Sequence, residues 1–284
     1  MRSSPPLAVR NASPEDRALI STLLSQAHWR HFHLDWRDPL DLLASPPNLI
    51  GYHGERLVAH LAAPPDPTGA AWIRSFCVDA TLPPLPAWRI LWAEAAAQCL
   101  ALGATQIGSL LSGEWMRPLL GEASFRETNA VIFFEWRSPS LPPRPPAPGT
   151  LRLLTPQDLP RLQHVDSSAF PLLWQNGRES LSAALRQSVV ATGVDVDGQL
   201  VGYQLTTGST FGAHLARLAV EPGFQGRGIG TALVIDVIEQ LQRRGYDSVT
   251  LNTQADNVRS QDLYHRLGFR ETGQRYAVFE TALA

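Results

Sequence analysis

Two successive α/β domains, each a twisted mixed sheet flanked by helices, are what this 284-residue sequence predicts. Three observations carry that expectation. First, parts of the first half recur in the second at a fixed offset of 142 residues: Pro14 with Pro156, Phe76-Cys-Val-Asp79 with Leu218-Ala-Val-Glu221, and Gly103 with Gly245. A constant offset over that span indicates a tandem duplication. Second, Ser138 to Gly149 is rich in proline and reads as a stiff linker. Third, short apolar strands alternate with helix-period segments, the order that yields a sheet covered by helices. The expected division is 1–137, a linker over 138–149, and 150–284.

Each half opens alike. Leu7 to Asp16 matches Leu151 to Asp158 in plan, a strand followed by a helix start. Ser13 and Thr155 suit N-cap positions, and Pro14 and Pro156 suit the first helical turn, where a missing N–H costs nothing. In the second half a strand over 151–154 precedes a helix near 156–167 and another near 178–188. Strands Val189–Val196 and Gln199–Thr206 meet at Asp197-Gly198, a two-residue hairpin signal. A strand His214–Val220 then enters a glycine-rich turn and a helix over 230–244, with Leu233, Val237 and Leu241 on one face. Gly245 suits its C-terminus, and Arg243-Arg244 suit its dipole. Strand Ser248–Thr253, a helix over 257–267 and a last strand near 275–282 follow. Phe125-Arg-Glu-Thr128 recurs as Phe269-Arg-Glu-Thr272, each leading into a strand.

Composition excludes several chemistries. All 24 basic residues are arginine. Without lysine there is no P-loop lysine, no pyridoxal Schiff base and no lysine nucleophile. The net charge of -2 and the lack of a basic stripe argue against nucleic acid as a partner. No apolar run reaches the ~20 residues of a membrane helix, so no membrane partner is expected. Met1-Arg-Ser-Ser-Pro-Pro6 lacks the apolar core of a signal peptide. Cys77 and Cys99 lie in apolar surroundings, and a reducing cytoplasmic location is expected. Trp72, Trp88, Trp92 and Trp115 read as core. His28, His31 and His33, with Asp35 nearby, match no standard zinc spacing. They read as a surface helix end beside Trp29, Phe32 and Trp36, and no metal is expected.

The most informative stretch is Leu218-Ala-Val-Glu-Pro-Gly-Phe-Gln-Gly-Arg-Gly-Ile-Gly-Thr231. A strand, a glycine turn and a helix in this order make a backbone anion cradle. Gly226, Gly228 and Gly230 free the main chain, and the amides of the turn and first helical turn converge on one phosphate. A second motif follows, Asn257-Val-Arg-Ser-Gln-Asp-Leu-Tyr264, then Leu267-Gly-Phe269. In this order the two motifs resemble those of the GCN5-related N-acetyltransferase (GNAT) superfamily, over residues 150–284. The whole chain resembles a tandem GNAT with a degenerate N-terminal half.

That resemblance implies acetyl-CoA as co-substrate. Gln225, Gly226, Arg227, Gly228, Ile229, Gly230 and Thr231 would hold the pyrophosphate. The edge of Leu218, Ala219 and Val220 would pair with the pantetheine arm, and Asn257 would bond that arm or the strand end. Tyr264 would act as general acid toward the departing thiolate, its phenol being protonated at neutral pH. Arg227 either touches a phosphate or is solvated; Arg259 reads as solvated. The amine acceptor needs a base, and the strand before the cradle carries no carboxylate. His214 is the candidate, with Glu221 in the loop beyond. Arg217 faces either the acceptor or open solvent. Ala169-Phe-Pro-Leu-Leu-Trp174 is similar to the acceptor-side region of ribosomal-protein N-terminal acetyltransferases, over too short a span to carry a substrate across.

The repeat maps Gln225–Gly230 onto Pro83-Pro-Leu-Pro-Ala-Trp88, where three prolines remove three amide donors. Near the end of the repeat the offset is 144, which places Leu120 opposite Tyr264. The first half is therefore expected to keep the fold without a CoA cradle. The expected function is acyl-CoA-dependent acetylation of a primary amine on a small molecule or peptide N-terminus. The alternative is a non-catalytic acyl-CoA sensor. A monomer with an internal pseudo-dimer, or a homodimer, is expected.

Overall fold

A computed structural model describes residues 7–67, 69–137, 140, 143–210 and 212–284. The amino-terminal segment before Leu7, and linker residues Ser138, Pro139, Leu141 and Pro142, lie outside the described residues. The chain divides into two compact units: Met1–Thr128 with Ala277–Ala284, and Asn129–Tyr276.

The first unit carries β1 (Ala8–Asn11), α1 (Arg17–Gln26), β2 (Trp29–Phe32), β3 (Asn48–His53), β4 (Arg56–Ala62), β5 (Ala70–Trp72), β6 (Ser75–Val78), α2 (Pro84–Ala101), β7 (Gln106–Leu110) and α3 (Arg117–Glu122). Its main sheet is antiparallel in the order β1-β3-β4-β6-β2. Within α2, the buried Trp88 stacks on Trp92 at 5.5 Å, and it meets Phe76 of β6 edge-on at 5.2 Å. Trp72 is buried as expected, while Trp92 and Trp115 pack at the margin of the core. Cys77 and Cys99 are buried free thiols, and burial pushes both up to about 12.

From the first half the chain continues through β8 (Arg126–Trp136). The second unit then adds β9 (Thr150–Leu153), α4 (Leu159–Ala169), α5 (Arg178–Gln187), β10 (Ser188–Val196), β11 (Gln199–Ser209), β12 (Gly212–Val220), α6 (Ile229–Arg243), β13 (Val249–Gln254) and α7 (Val258–Arg266). The sheet runs β9-β10-β11-β12-β13-β8, antiparallel except for β12 with β13. α6 buries Leu233, Val234, Val237, Ile238 and Leu241 against it. Each such side chain contributes roughly 1.5–3 kcal/mol relative to exposure. At the β10–β11 hairpin, Asp197 and Gly198 both have positive φ, as a two-residue turn of this hand requires.

The duplicated helix starts fold alike. Ser13 and Asp16 form a capping box, as do Thr155 and Asp158. A feature not seen in the sequence accompanies both. Arg10 pairs bidentately with Asp16, and Arg152 with Asp158. The Arg10 guanidinium holds the Asp16 carboxyl down at about 2.

The packing units do not follow the sequence repeat. The last strand, β14 (Arg270–Ala282), is divided between them. In the second unit, Thr272 and Tyr276 lie against Phe133 of β8. In the first, residues from Val278 onward pair antiparallel with β7, and Phe279 enters the core. Residues 129–136 precede the linker yet pair with β13 in the second unit. Each repeat thus supplies a strand to the other repeat's unit, because strand partners are chosen by edge and register and not by position in the repeat.

Candidate active site

The glycine turn of the second unit is a set of unspent donors. Gly226 and Gly228 have φ of 76° and 85°, conformations that L side chains resist. A Cβ on Gly228 would also come within 3.0 Å of the Pro146 carbonyl, so this position demands glycine twice over. Gly228 caps α6, and the first backbone bond of that helix is Ala232 N–H to Gly228 O at 2.9 Å. Among the described residues no acceptor meets the N–H groups of Gly226 to Thr231. Six unspent amides at the positive end of a helix dipole are an arrangement that can receive an anion. Arg227 is exposed, its guanidinium 5.3 Å from the Phe224 ring.

The strand leading into the turn has a free edge. β12 pairs with β11 along its length, with a bulge at Ala216 between the pairs Thr206–Leu215 and Leu205–Arg217. On its other side it pairs with β13 at only three residues, Ala213, His214 and Leu215. From Ala216 to Val220 that edge meets no strand among the described residues. An unpaired strand edge accepts an extended, amide-rich partner.

The second motif closes the far side. The Asn257 Oδ1 caps α7 by accepting from Ser260 N–H at 3.2 Å, leaving its Nδ2 without a partner among the described residues. Tyr264 is 5 % exposed, its ring packed between Phe134 and Phe269. Burial raises its phenol above the ordinary value, so it is protonated at neutral pH. Gln225 Nε2 donates to the Val220 carbonyl at 2.9 Å, and Arg259 donates to Gln225 Oε1. Arg259 is exposed, as expected, and also ties the two motifs together, a contact hidden in the sequence because the partners are far apart along the chain.

His214 is half-buried and fully engaged. Its Nδ1 donates to Thr250 Oγ1 (2.9 Å), which donates to the Ala213 carbonyl (3.3 Å), while Asn252 Nδ2 donates to Nε2 (3.3 Å). Burial lowers it to about 4, so it is a neutral imidazole at neutral pH. Glu221 is committed to Arg161 at 2.5 Å. Arg217 does not lie solvated on an open face. It pairs bidentately with Asp166, a fully buried residue of α4, because an uncompensated guanidinium could not stay buried there.

The corresponding region of the first unit is filled. β6 matches the open part of β12 at the repeat offset, but here β2 pairs antiparallel along it, from Trp29–Val78 to Phe32–Ser75. Pro83 caps α2 and Pro84 and Pro86 occupy its first turn, so these three positions offer no N–H. The histidine cluster is thus not a surface helix end: α1 stops at Gln26, and His31 lies inside a strand. His31 is fully buried between Ser112 Oγ and the Ile73 carbonyl, each at 3.0 Å. No group of three or more His, Cys, Asp or Glu suited to a metal occurs among the described residues. No helix among them is long and apolar enough to cross a membrane.

Residues 159–269 match the model of the acetyltransferase (GNAT) family. The [ribosomal protein bS18]-alanine N-acetyltransferase of Escherichia coli K12 is 26% identical over 132 residues, covering 46% of this chain and 88% of the relative. A mycothiol acetyltransferase of Clavibacter sepedonicus is 36% identical over 77 residues, 27% of this chain and 25% of the relative. Among solved structures, a tandem GNAT protein from the clavulanic acid biosynthesis pathway superposes with a TM-score of 0.65 at 16% identity, covering 98% of this chain and 99% of that one. A GCN5-related N-acetyltransferase from Sphaerobacter thermophilus gives 0.62 at 16% identity, over 98% and 96%. At such identities the solved structures establish the fold alone.

Proposed function

Residues 159–269 are a domain of the acetyltransferase (GNAT) family within a tandem GNAT fold, and from that premise we propose that the chain moves an acetyl group from acetyl-CoA to a primary amine. The observation that carries this reading is the conjunction of six unspent amides at the start of α6 with the free edge of β12 beside them. The amides suit a pyrophosphate, and the edge suits the two amides of a pantetheine arm.

In this reading Gln225 to Thr231 bind the pyrophosphate, Leu218 to Val220 pair with the arm, and Asn257 offers its free Nδ2 to it. The amine nitrogen attacks the thioester carbonyl, the C–S bond breaks, and Tyr264 gives its proton to the departing sulfur. The amine's own proton leaves to His214 or to water. His214, neutral with Nε2 as its basic nitrogen, needs only to exchange the weak bond from Asn252. The acceptor is a small-molecule amine or a peptide N-terminus, the second favoured by the likeness to the bS18-alanine enzyme. The first unit binds no second CoA, because its cradle is proline and its strand edge is paired.

Calorimetry with acetyl-CoA, followed by thiol release with an alanine-initiated peptide and a set of small primary amines, tests this. One site per chain and turnover with an amine are expected. Tight binding with no turnover on any amine would favour a sensor, and two equal sites would overturn the single-site reading.

A further inference from the structure

The connection between α4 and α5, Phe170 to Asn176, is held to the sheet by one buried pair. Asp166 is fully buried and accepts Arg217 Nε at 2.7 Å and NH2 at 2.8 Å. It also accepts the Tyr203 hydroxyl at 2.5 Å and the Asn176 N–H at 2.7 Å. Arg217 donates to the Trp174 carbonyl at 2.8 Å, and its guanidinium carbon lies 3.6 Å from the centre of the Phe170 ring. Three points on one connection are thus fixed by the same two side chains. Arg217 directly follows the bulge residue Ala216, where the free edge of β12 begins. Through Arg217 the held connection is tied to β12 at the point where that edge opens, and in the proposed reading an acceptor approaches a thioester laid along the edge from this side. The guanidinium charge is matched by Asp166, and Phe170–Asn176 has no ionisable side chain, so this wall carries no net charge.

We propose that Asp166 and Arg217 are positioning residues for the acceptor: they fix Phe170–Asn176 as a neutral wall that favours amines without an adjacent carboxylate, such as a peptide N-terminus. This rests on the reading of the second unit as an amine acetyltransferase. A wall set within ångströms governs how the amine approaches, and misplacement of that order costs ~10-fold or more. Asp166→Asn keeps the shape and unmasks the guanidinium charge, so it changes preference as well as fit.

The test compares wild type, Asp166→Asn and the neutral double variant Asp166→Asn/Arg217→Gln, with alaninamide and free alanine as acceptors and acetyl-CoA affinity as control. The expected result is an alaninamide KM raised about tenfold in both variants, with acetyl-CoA affinity within about twofold of wild type. The alanine-to-alaninamide ratio of kcat/KM should rise only in Asp166→Asn. If that single variant does not fold, the double variant's KM decides. Unchanged acceptor KM in folded variants would overturn the proposal, as would equal losses of acceptor and acetyl-CoA binding. A wild type that acetylates neither probe nor any other amine would overturn the underlying functional reading instead, and the wild-type control tells the two apart.

Discussion

Strands β6 and β12 hold the same place in the repeat, yet their edges have opposite fates. Beyond its first few residues, β12 parts from β13 and presents backbone groups to whatever approaches. The matching residues of β6 are covered by β2, a strand of the same unit. The turns that follow diverge in parallel: glycines with unspent amides after β12, prolines and the buried Trp88 after β6. The two halves therefore differ in two independent ways, one in the donors and one in the edge. On the proposed function, restoring either alone in the first half will not create binding.

Substitutions at matched positions should expose that asymmetry. The largest effect is expected at the cradle. Gly228→Val must hold a β-branched residue at φ 85° with its Cβ near Pro146. We expect acetyl-CoA affinity to fall at least ~100-fold, whereas Pro86→Gly, its counterpart, should leave calorimetric binding unchanged. Wild-type affinity in Gly228→Val would remove the cradle from the site. Next, Tyr264→Phe should lower kcat about 100-fold with little change in acetyl-CoA KM, and Leu120→Tyr in the other unit should not compensate. An unaltered rate would leave Tyr264 as a packing residue between Phe134 and Phe269.

A smaller effect concerns stability. Burial lowers His31 and His60 of the first unit to about 4, pushes His33 well below its ordinary value, and lowers His214 of the second unit to about 4. Histidines buried neutral stabilise the fold fully above their unfolded pKa near 6.5, and the contribution disappears as pH falls toward 4. His31 and His60 stand to lose on the order of 3 kcal/mol each. The first unit should therefore become protease-sensitive first on acidification. Pulsed proteolysis with fragments identified by mass would show this, and earlier cleavage of the second unit would contradict it.

Much of this plan could be read from residues close together in sequence. The glycine spacing of 226, 228 and 230, the hairpin at Asp197-Gly198 and the paired N-caps Ser13 and Thr155 are local signals, and the structure carries all of them. What escaped depends on partners distant along the chain. β2 is four residues long, too short for a period to show, and it exists because β6 offers it an edge. Arg217 gives no sign of Asp166, which is 51 residues away, and Arg259 gives none of Gln225. The exchange of strands was equally hidden, since a repeat in sequence marks descent and not which edge a strand will join.

That exchange also sets a timetable for synthesis. The final strand completes the ladder on β7 and sends Phe279 into the core around α2. During translation the amino-terminal half leaves the ribosome first, but one of its strands is made after every residue of the other half. It must wait, with that edge of β7 unpaired, until Val278–Ala282 emerge. Expressing either repeat by itself would strand it in that waiting state, so the two halves are one unit of biogenesis even though only one of them carries the proposed chemistry.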